Sequence, residues 1–305
     1  MDGWPDRGAL PLDMRVALAF AAIYLLWGGT FLAIRVAVLE VPPLFSSGVR
    51  FLVAGALLYV LMRLRGQPSP TAVEWRSIAV VAVCMFVATY AALFWAEQYV
   101  ASGITAVIEA TLPITTVALE VFVFRQQPFR WRVAAAVALG FFGVAALLIG
   151  GDPMTVPMVP CLVILGGGTA WSLGAVLTRS MPRPQSAPLA AGAQMMLGGA
   201  VLLALSESSG ELQSLPHISL RAALALSYLI VAGSLLGFTA YVWLLARMAA
   251  TRVASHAYVN PLVAVALGYF VAGEALTARM MLAAVLVVAS VVLILTTPQP
   301  RGRRS

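Results

Sequence analysis

The sequence contains no lysine; its 19 basic residues are all arginine. A P-loop sets a Lys on the nucleotide phosphates, so this chain holds no such motor. A retinal-type Schiff base is excluded for the same reason. Acid is scarce as well, at 12 residues, and the four aspartates (Asp2, Asp6, Asp13 and Asp152) all lie outside the long apolar runs. An intramembrane aspartyl protease, which needs paired aspartates within its spans, is thereby removed. Only two histidines are present, His217 in a loop and His256, with no H-E-x-x-H, so a metalloprotease site is absent and no metal or other cofactor is expected. The two cysteines, Cys84 and Cys161, sit inside apolar runs and read as small core residues.

What remains is apolar. Of 305 residues, 61% are hydrophobic and 10% charged, with a mean hydropathy of +0.94. Soluble domains carry about 25% charge, so the composition excludes a soluble or disordered chain. The net charge of +7 is spread through short gaps between apolar runs and forms no nucleic-acid-binding face. The partner implied is a lipid bilayer. Residues 1–13 are polar, and the run after Met14 is too long for a signal-peptide core.

A helix needs about 20 apolar residues to cross the hydrocarbon. Ten spans are expected, near 15–38, 43–63, 77–99, 102–124, 131–150, 156–178, 188–206, 221–246, 250–271 and 278–297. Val41-Pro42-Pro43, Arg65 to Pro70, Gly150-Gly151-Asp152-Pro153 and Met181-Pro182-Arg183-Pro184 punctuate them. With a cytoplasmic N-terminus, 15 of the arginines fall inside, and only Arg35, Arg221 and Arg279 lie at outer ends. The positive-inside rule therefore puts both termini in the cytoplasm.

The two halves echo each other. Trp27 and Arg35 match Trp171 and Arg179; Gly48 and Gly55 match Gly192 and Gly199; Trp95 matches Trp243; Pro113 matches Pro261. Five spans per half make the second copy enter the membrane from the opposite side, an inverted repeat that puts a solute site between the halves. The expected fold is an all-α integral membrane protein of ten transmembrane helices in two inverted five-helix repeats. A cytoplasmic tail (1–13) precedes the first repeat (14–150); the second repeat (151–297) is followed by a cytoplasmic tail (298–305).

Several short stretches carry a family resemblance. They are Trp27-Gly28-Gly29-Thr30-Phe31, Ile34-Arg35, Pro42-Pro43-Leu44, Gly48-Val49-Arg50-Phe51, Ala96-Glu97-Gln98 and Gly103-Ile104-Thr105-Ala106 in the first half. Gly233-Ser234, Ala257-Tyr258-Val259-Asn260-Pro261 and Gly273-Glu274 follow in the second. Their order and spacing, from about Arg15 to Thr297, resemble the EamA domain family of the drug/metabolite transporter superfamily and its YedA-like exporters. The resemblance implies ten helices, two EamA repeats and export of small metabolites across a bacterial inner membrane. The first repeat has Arg125-Gln126-Gln127 where the second has Gly273-Glu274, so an acid there serves one half only.

Charge inside a bilayer asks for a partner or a purpose. Arg50 and Glu109 each lie about two turns, roughly 10 Å, below the outer face. They can pair as a structural brace. Alternatively, Arg50 holds an anionic group of a solute and Glu109 contacts the solute or exchanges a proton. Glu97, at the end of its span, reads as interfacial, and Glu120 as a helix-end charge near Arg125. His256 either titrates near neutral pH or packs through a hydrogen bond. Trp27, Tyr90, Trp95, Trp171, Trp243 and Tyr258 fall within spans, where they pack the core or line a slot for flat solutes. Thr30, a turn after Trp27, Gln194, the counterpart of Arg50, and Asn260 complete the candidate solute-binding set. Pro113 and Pro261 each free a backbone carbonyl and are candidate hinges.

The function expected is secondary active export of small metabolites, amino-acid-like or drug-like, by alternating access at the interface of the repeats. The driving force is a gradient, with the proton as the candidate coupling ion. A facilitator or importer of the same fold is the alternative. An enzyme is not expected, since no catalytic constellation is present, and no ring or filter marks a channel. Nothing in the sequence sets an oligomeric state.

Overall fold

Proline and small polar residues start the helices. The computed structural model describes residues 12–125, 129–148, 157–214, 218–245, 253 and 256–296, and its regular elements are all helical. Helix α1 is Leu12–Val38. Helix α2, Pro43–Leu64, opens on a proline, where no intrahelical donor is lost. Helix α3, Ala72–Ala96, opens in a capping box: Thr71 accepts from the Glu74 amide while the Glu74 carboxylate accepts from Thr71 N at 2.7 Å. This box starts the helix at residue 72 rather than 77, and the helix ends at 96 rather than 99. Helix α4, Ser102–Val123, is interrupted between Ser102–Glu109 and Leu112–Ala118. Helix α5 is Trp131–Leu148 and α6 is Met158–Ser180. Helix α7, Ala187–Ser208, is capped by Ser186. Helix α8 runs as Leu220–Tyr228, Leu229–Leu236 and Gly237–Leu245 and is capped by Ser219. Helices α9, His256–Ala272, and α10, Ala278–Leu295, close the chain.

Seven of these are long and apolar enough to cross a membrane. Ala134–Ala146, Val259–Ala272 and Ala278–Leu293 are shorter apolar stretches. The expected junctions at 126–128 and 150–153, the tails 1–11 and 297–305, and His217, Arg247 and Arg252 lie outside the described residues.

The outer surface is hydrophobic, as lipid requires. Leu25, Leu57, Phe142, Phe270 and Val285 are exposed, whereas Ser46, Ser47, Thr89, Thr105 and Ser172 are buried. Several buried hydroxyls donate to carbonyls of their own helices; Ser47, for example, reaches Pro43 O at 2.8 Å. Such bonds satisfy donors that lipid would leave unpaired.

Helix pairing across the halves is reciprocal. Helix α2 lies along α7 and α5 along α10. The contact of α1 with α9 is answered by α4 with α6, that of α1 with α8 by α3 with α6, and that of α2 with α8 by α3 with α7. Exchanging the halves therefore reproduces each of these contacts. Two widened, π-helical turns obey the same exchange: Val83–Ala88 in α3 and Leu229–Leu236 in α8. A third, Leu119–Val123, lies in α4 and has no counterpart in α9.

The α2–α7 contact brings backbone against backbone. A Cβ on Gly199 would collide with the Leu52 amide, and one on Gly55 with the Met196 amide. Small residues at such crossings replace the hydrophobic drive that lipid does not provide. Gly199→Ala should lower the unfolding midpoint in detergent, since overpacking typically costs about 1–3 kcal/mol. Gly166→Ala, with nothing within 4 Å of the new carbon, should leave the midpoint unchanged or raise it. Equal midpoints for the two variants would show that the crossing is not close-packed.

Candidate solute-binding site

Arg50 projects from α2 into the packing between the halves and is 3% exposed. Its Nε donates to Ser234 Oγ on α8 at 3.1 Å. The guanidinium lies 4.7 Å from the Phe51 ring centre and 5.2 Å from that of Tyr90 on α3. Its Nη1 is buried and has no hydrogen-bond partner. The brace expected between Arg50 and Glu109 is not formed: the arginine is held by a hydroxyl and two ring faces. Glu109 is half-buried on α4 and turned towards α6, where a Cβ on Gly168 would stand 3.3 Å from its Oε1. Tyr90 is within electrostatic reach of both Arg50 and Glu109.

Aromatic rings surround this charge. Phe51 and Tyr90 pack at 4.3 Å between centres, Phe86 lies 6.2 Å from Tyr90, and Trp171 of α6 lies about equally far from Phe86 and Tyr90, at 6.0 and 6.1 Å. Phe238 of α8 connects Phe86, at 6.3 Å, to Trp27 of α1, at 5.7 Å. The Trp27 indole N–H donates to Gly233 O at 2.9 Å, a carbonyl in the widened turn of α8. Trp27, Tyr90 and Trp171 are thus brought into one network. Phe51, Phe86, Phe238 and Ser234 belong to it and were absent from the sequence-based set. Ser234 did carry a signal, in the Gly233-Ser234 dipeptide; the phenylalanines did not stand out from their apolar runs.

The remaining candidates are spread around this centre. His256 stacks edge-on to Trp27 at 5.0 Å and packs on Tyr241 at 5.9 Å. The Asn260 amide is best satisfied with its nitrogen towards the carbonyls of His256, Ile23 and Tyr24, at 3.1–3.3 Å, tying α9 to α1. The Thr30 hydroxyl donates to Trp27 O at 2.6 Å within its own helix. Trp95 packs on Tyr99 at 5.2 Å, and Trp243 packs with Trp27 against a cluster of Ile23, Leu244 and Val253. Gln194 lines a small crevice with Ser77, Ile78, Thr178 and Pro182, apart from Arg50. The Tyr258 side chain lies outside the described residues. Pro113 follows the interruption of α4 at 110–111, whereas Pro261 sits inside an unbroken helix. The two proline positions are therefore unequal in shape.

The face carrying the 38–43, 97–102, 208–220 and 272–278 connections is laced by carboxylates. Glu274 accepts from Ser102 N and Ser102 Oγ, both at 2.8 Å, and from Gly103 N at 3.1 Å, capping α4 from the other half. Glu211 accepts from Phe45 N at 2.9 Å and Ser206 Oγ at 2.8 Å, at the start of α2. Glu40 accepts from Ser219 N at 3.3 Å, ahead of α8. Anions at helix N-termini meet unpaired N–H groups and a favourable dipole. Glu97, read from sequence as interfacial, is fully buried, with Arg35 of α1 against its backbone carbonyl. Glu120 is likewise buried, within the widened turn of α4 and not at an exposed helix end.

The model of the EamA-like transporter family matches residues 14–149 and again 158–296. The chain is 34% identical over 279 residues to the uncharacterized inner membrane transporter YedA of Escherichia coli (strain K12), covering 90% of this chain and 89% of that protein. It is 26% identical to a probable amino-acid metabolite efflux pump of Salmonella typhimurium, covering 88% and 90%. A crystal structure 18% identical in sequence superposes with a TM-score of 0.62 over 91% of this chain and 95% of that one, which shows a shared fold.

The Glu274 cap is directly testable. Glu274→Ala should lower the unfolding midpoint, since losing such a cap costs about 0.5–2 kcal/mol. It should also raise the solvent reactivity of a cysteine introduced at Ser102. A variant with unchanged midpoint and unchanged reactivity would mean that the cap does not hold this face closed.

Proposed function

Because the chain belongs to the EamA-like transporter family, we propose that it is a secondary active exporter of small metabolites. It works by alternating access between two inverted five-helix repeats in a bacterial inner membrane, with all ten helices crossing and both termini cytoplasmic. The reciprocal helix pairing supports the inverted repeat, since two copies related by a twofold in the membrane plane exchange their contacts in this way. The arginine distribution supports the orientation.

The observation that carries the solute assignment is Arg50. A buried guanidinium without a carboxylate partner retains a free donor, and an arriving anion gains what the protein does not supply. The seam around it is built of rings from both halves, so a carboxylate on Arg50 lies between an aromatic wall and Glu109. An amino-acid-like zwitterion suits this pairing, its carboxylate on Arg50 and its ammonium on Glu109. Trp27, Tyr90 and Trp171 then line the apolar part of the slot, and His256, Asn260 and Thr30 shape its neighbourhood. The name of the Salmonella relative, an amino-acid metabolite efflux pump, agrees with that class.

In the cycle, solute enters from the cytoplasmic side while the carboxylate-laced face stays shut. Helices α4 and α9 then bend, at the interruption ahead of Pro113 and around Pro261, and the laced face opens. Without a nucleotide motif the energy comes from an ion gradient, with the proton as coupling ion.

Counterflow in proteoliposomes with a radiolabelled amino-acid mixture tests the assignment. The wild-type chain should exchange label, and amines lacking the carboxylate should compete poorly. Arg50→Gln should reduce exchange at least about tenfold, a charged hydrogen bond being worth about 1.5–3 kcal/mol. Exchange that is undiminished in Arg50→Gln would remove Arg50 from the solute site.

A further inference from the structure

Glu97 lies at the end of α3, immediately beyond Ala96, and is 0% exposed. Neither of its carboxyl oxygens has a hydrogen-bond partner. A carboxylate in that position would forgo water and hydrogen-bond donors together, which a folded protein avoids by neutralising the group. The ionisable groups within electrostatic reach of it come from the neighbouring elements: Arg35 from α1, Arg50 from α2, Glu109 from α4 and Glu274 from the turn between α9 and α10. Arg35 is in direct contact, yet its Nη1 donates to the Glu97 backbone carbonyl and not to the side chain. That carbonyl belongs to the last turn of α3, where backbone acceptors lack intrahelical partners. The cation able to neutralise the carboxylate is therefore waiting one peptide away, occupied with a helix end.

This gives Arg35 two places to be. With Glu97 neutral it holds the α3 terminus to α1. With Glu97 ionised it is drawn to the carboxylate, and the carbonyl at the α3 terminus loses that donor. The other acid of this region, Glu274, is already engaged by three donors at the start of α4, and the deeper Glu109 faces α6 and the solute slot.

We infer that Glu97 is the proton-binding group of the transport cycle, protonated as the laced face closes and ionised when Arg35 crosses to its side chain. The inference rests on the exporter reading and names the residue that couples it to the gradient. One H⁺ is taken from water on the outer side, before the laced face closes, forming an O–H bond on a Glu97 carboxyl oxygen. That bond breaks when water from the other side reaches it. One proton moves and nothing is oxidised or reduced.

Infrared titration of the purified chain in nanodiscs reads this group without a substrate. Near neutral pH the wild type should show more neutral-carboxyl carbonyl intensity than Glu97→Gln, and the component lost in Glu97→Gln should persist in Glu109→Gln. In proteoliposomes loaded with the radiolabelled amino-acid mixture, an imposed pH gradient should speed wild-type efflux. Glu97→Gln should lose that response and Glu97→Asp should recover part of it. Neutral-carboxyl intensity equal in the wild type and Glu97→Gln overturns the inference, as does a gradient response retained by that variant. A wild type that exchanges no amino acid in counterflow instead defeats the exporter reading, and the infrared band still decides whether Glu97 carries the proton.

Discussion

A positive charge in a nearly waterless interior has to be held by something, and at the centre of this protein it is held incompletely. Arg50 receives one hydroxyl and two ring faces where a structural arginine would have a carboxylate. Its Nη1 is buried and idle. Insertion of such a charge costs about 2.5–3.5 kcal/mol, so leaving it half-satisfied stores a preference for an anion. The surrounding architecture keeps that preference in place: the close α2–α7 crossing fixes the helix that carries Arg50, and the widened turn of α8 brings Ser234 under it.

The widened turns extend the same logic to the two halves. Val83–Ala88 and Leu229–Leu236 fall at matching positions of the repeats, and each leaves carbonyls out of helical register. In α8 the free carbonyl of Gly233 receives the Trp27 indole. In α3, Cys84 O receives Thr89 Oγ1, which also lies within hydrogen-bonding distance of Gly167 O. Each turn therefore fastens its helix to the first helix of the opposite repeat, α8 to α1 and α3 to α6. Such turns are often found at functional sites. Here they are two of the places where side-chain bonds join one half to the other.

Much of the helical fold was legible in the sequence, because apolar runs broken by Pro42-Pro43, Pro68 to Pro70 and Pro182 to Pro184 leave little choice of where helices lie. The start of α3 was missed, since the Thr71–Glu74 capping box lies in a polar stretch that a hydropathy reading discards. The site was legible in its unusual residues and opaque in its ordinary ones. Trp27, Tyr90, Trp171 and Arg50 stand out in an apolar chain, and they do gather. Phe51, Phe86 and Phe238 look like any other core residue, and a widened helical turn has no sequence mark of its own. Pairing Arg50 with Glu109 from equal depth failed because depth says nothing about which way around a helix a side chain points. Glu97 was read as interfacial from its place at a span end; its burial depends on helices from elsewhere in the chain packing around it, α1 with Arg35 among them.

The measurement that bears most directly on the central claim is a thermal-shift screen of the purified wild-type chain and Arg50→Ala against a metabolite panel graded by charge. Carboxylate-bearing amino-acid-like compounds should raise the wild-type midpoint and leave the variant unmoved, while their decarboxylated counterparts move neither. Equal shifts in both proteins, or stabilisation of the wild type by cationic compounds alone, would contradict a solute site built on Arg50.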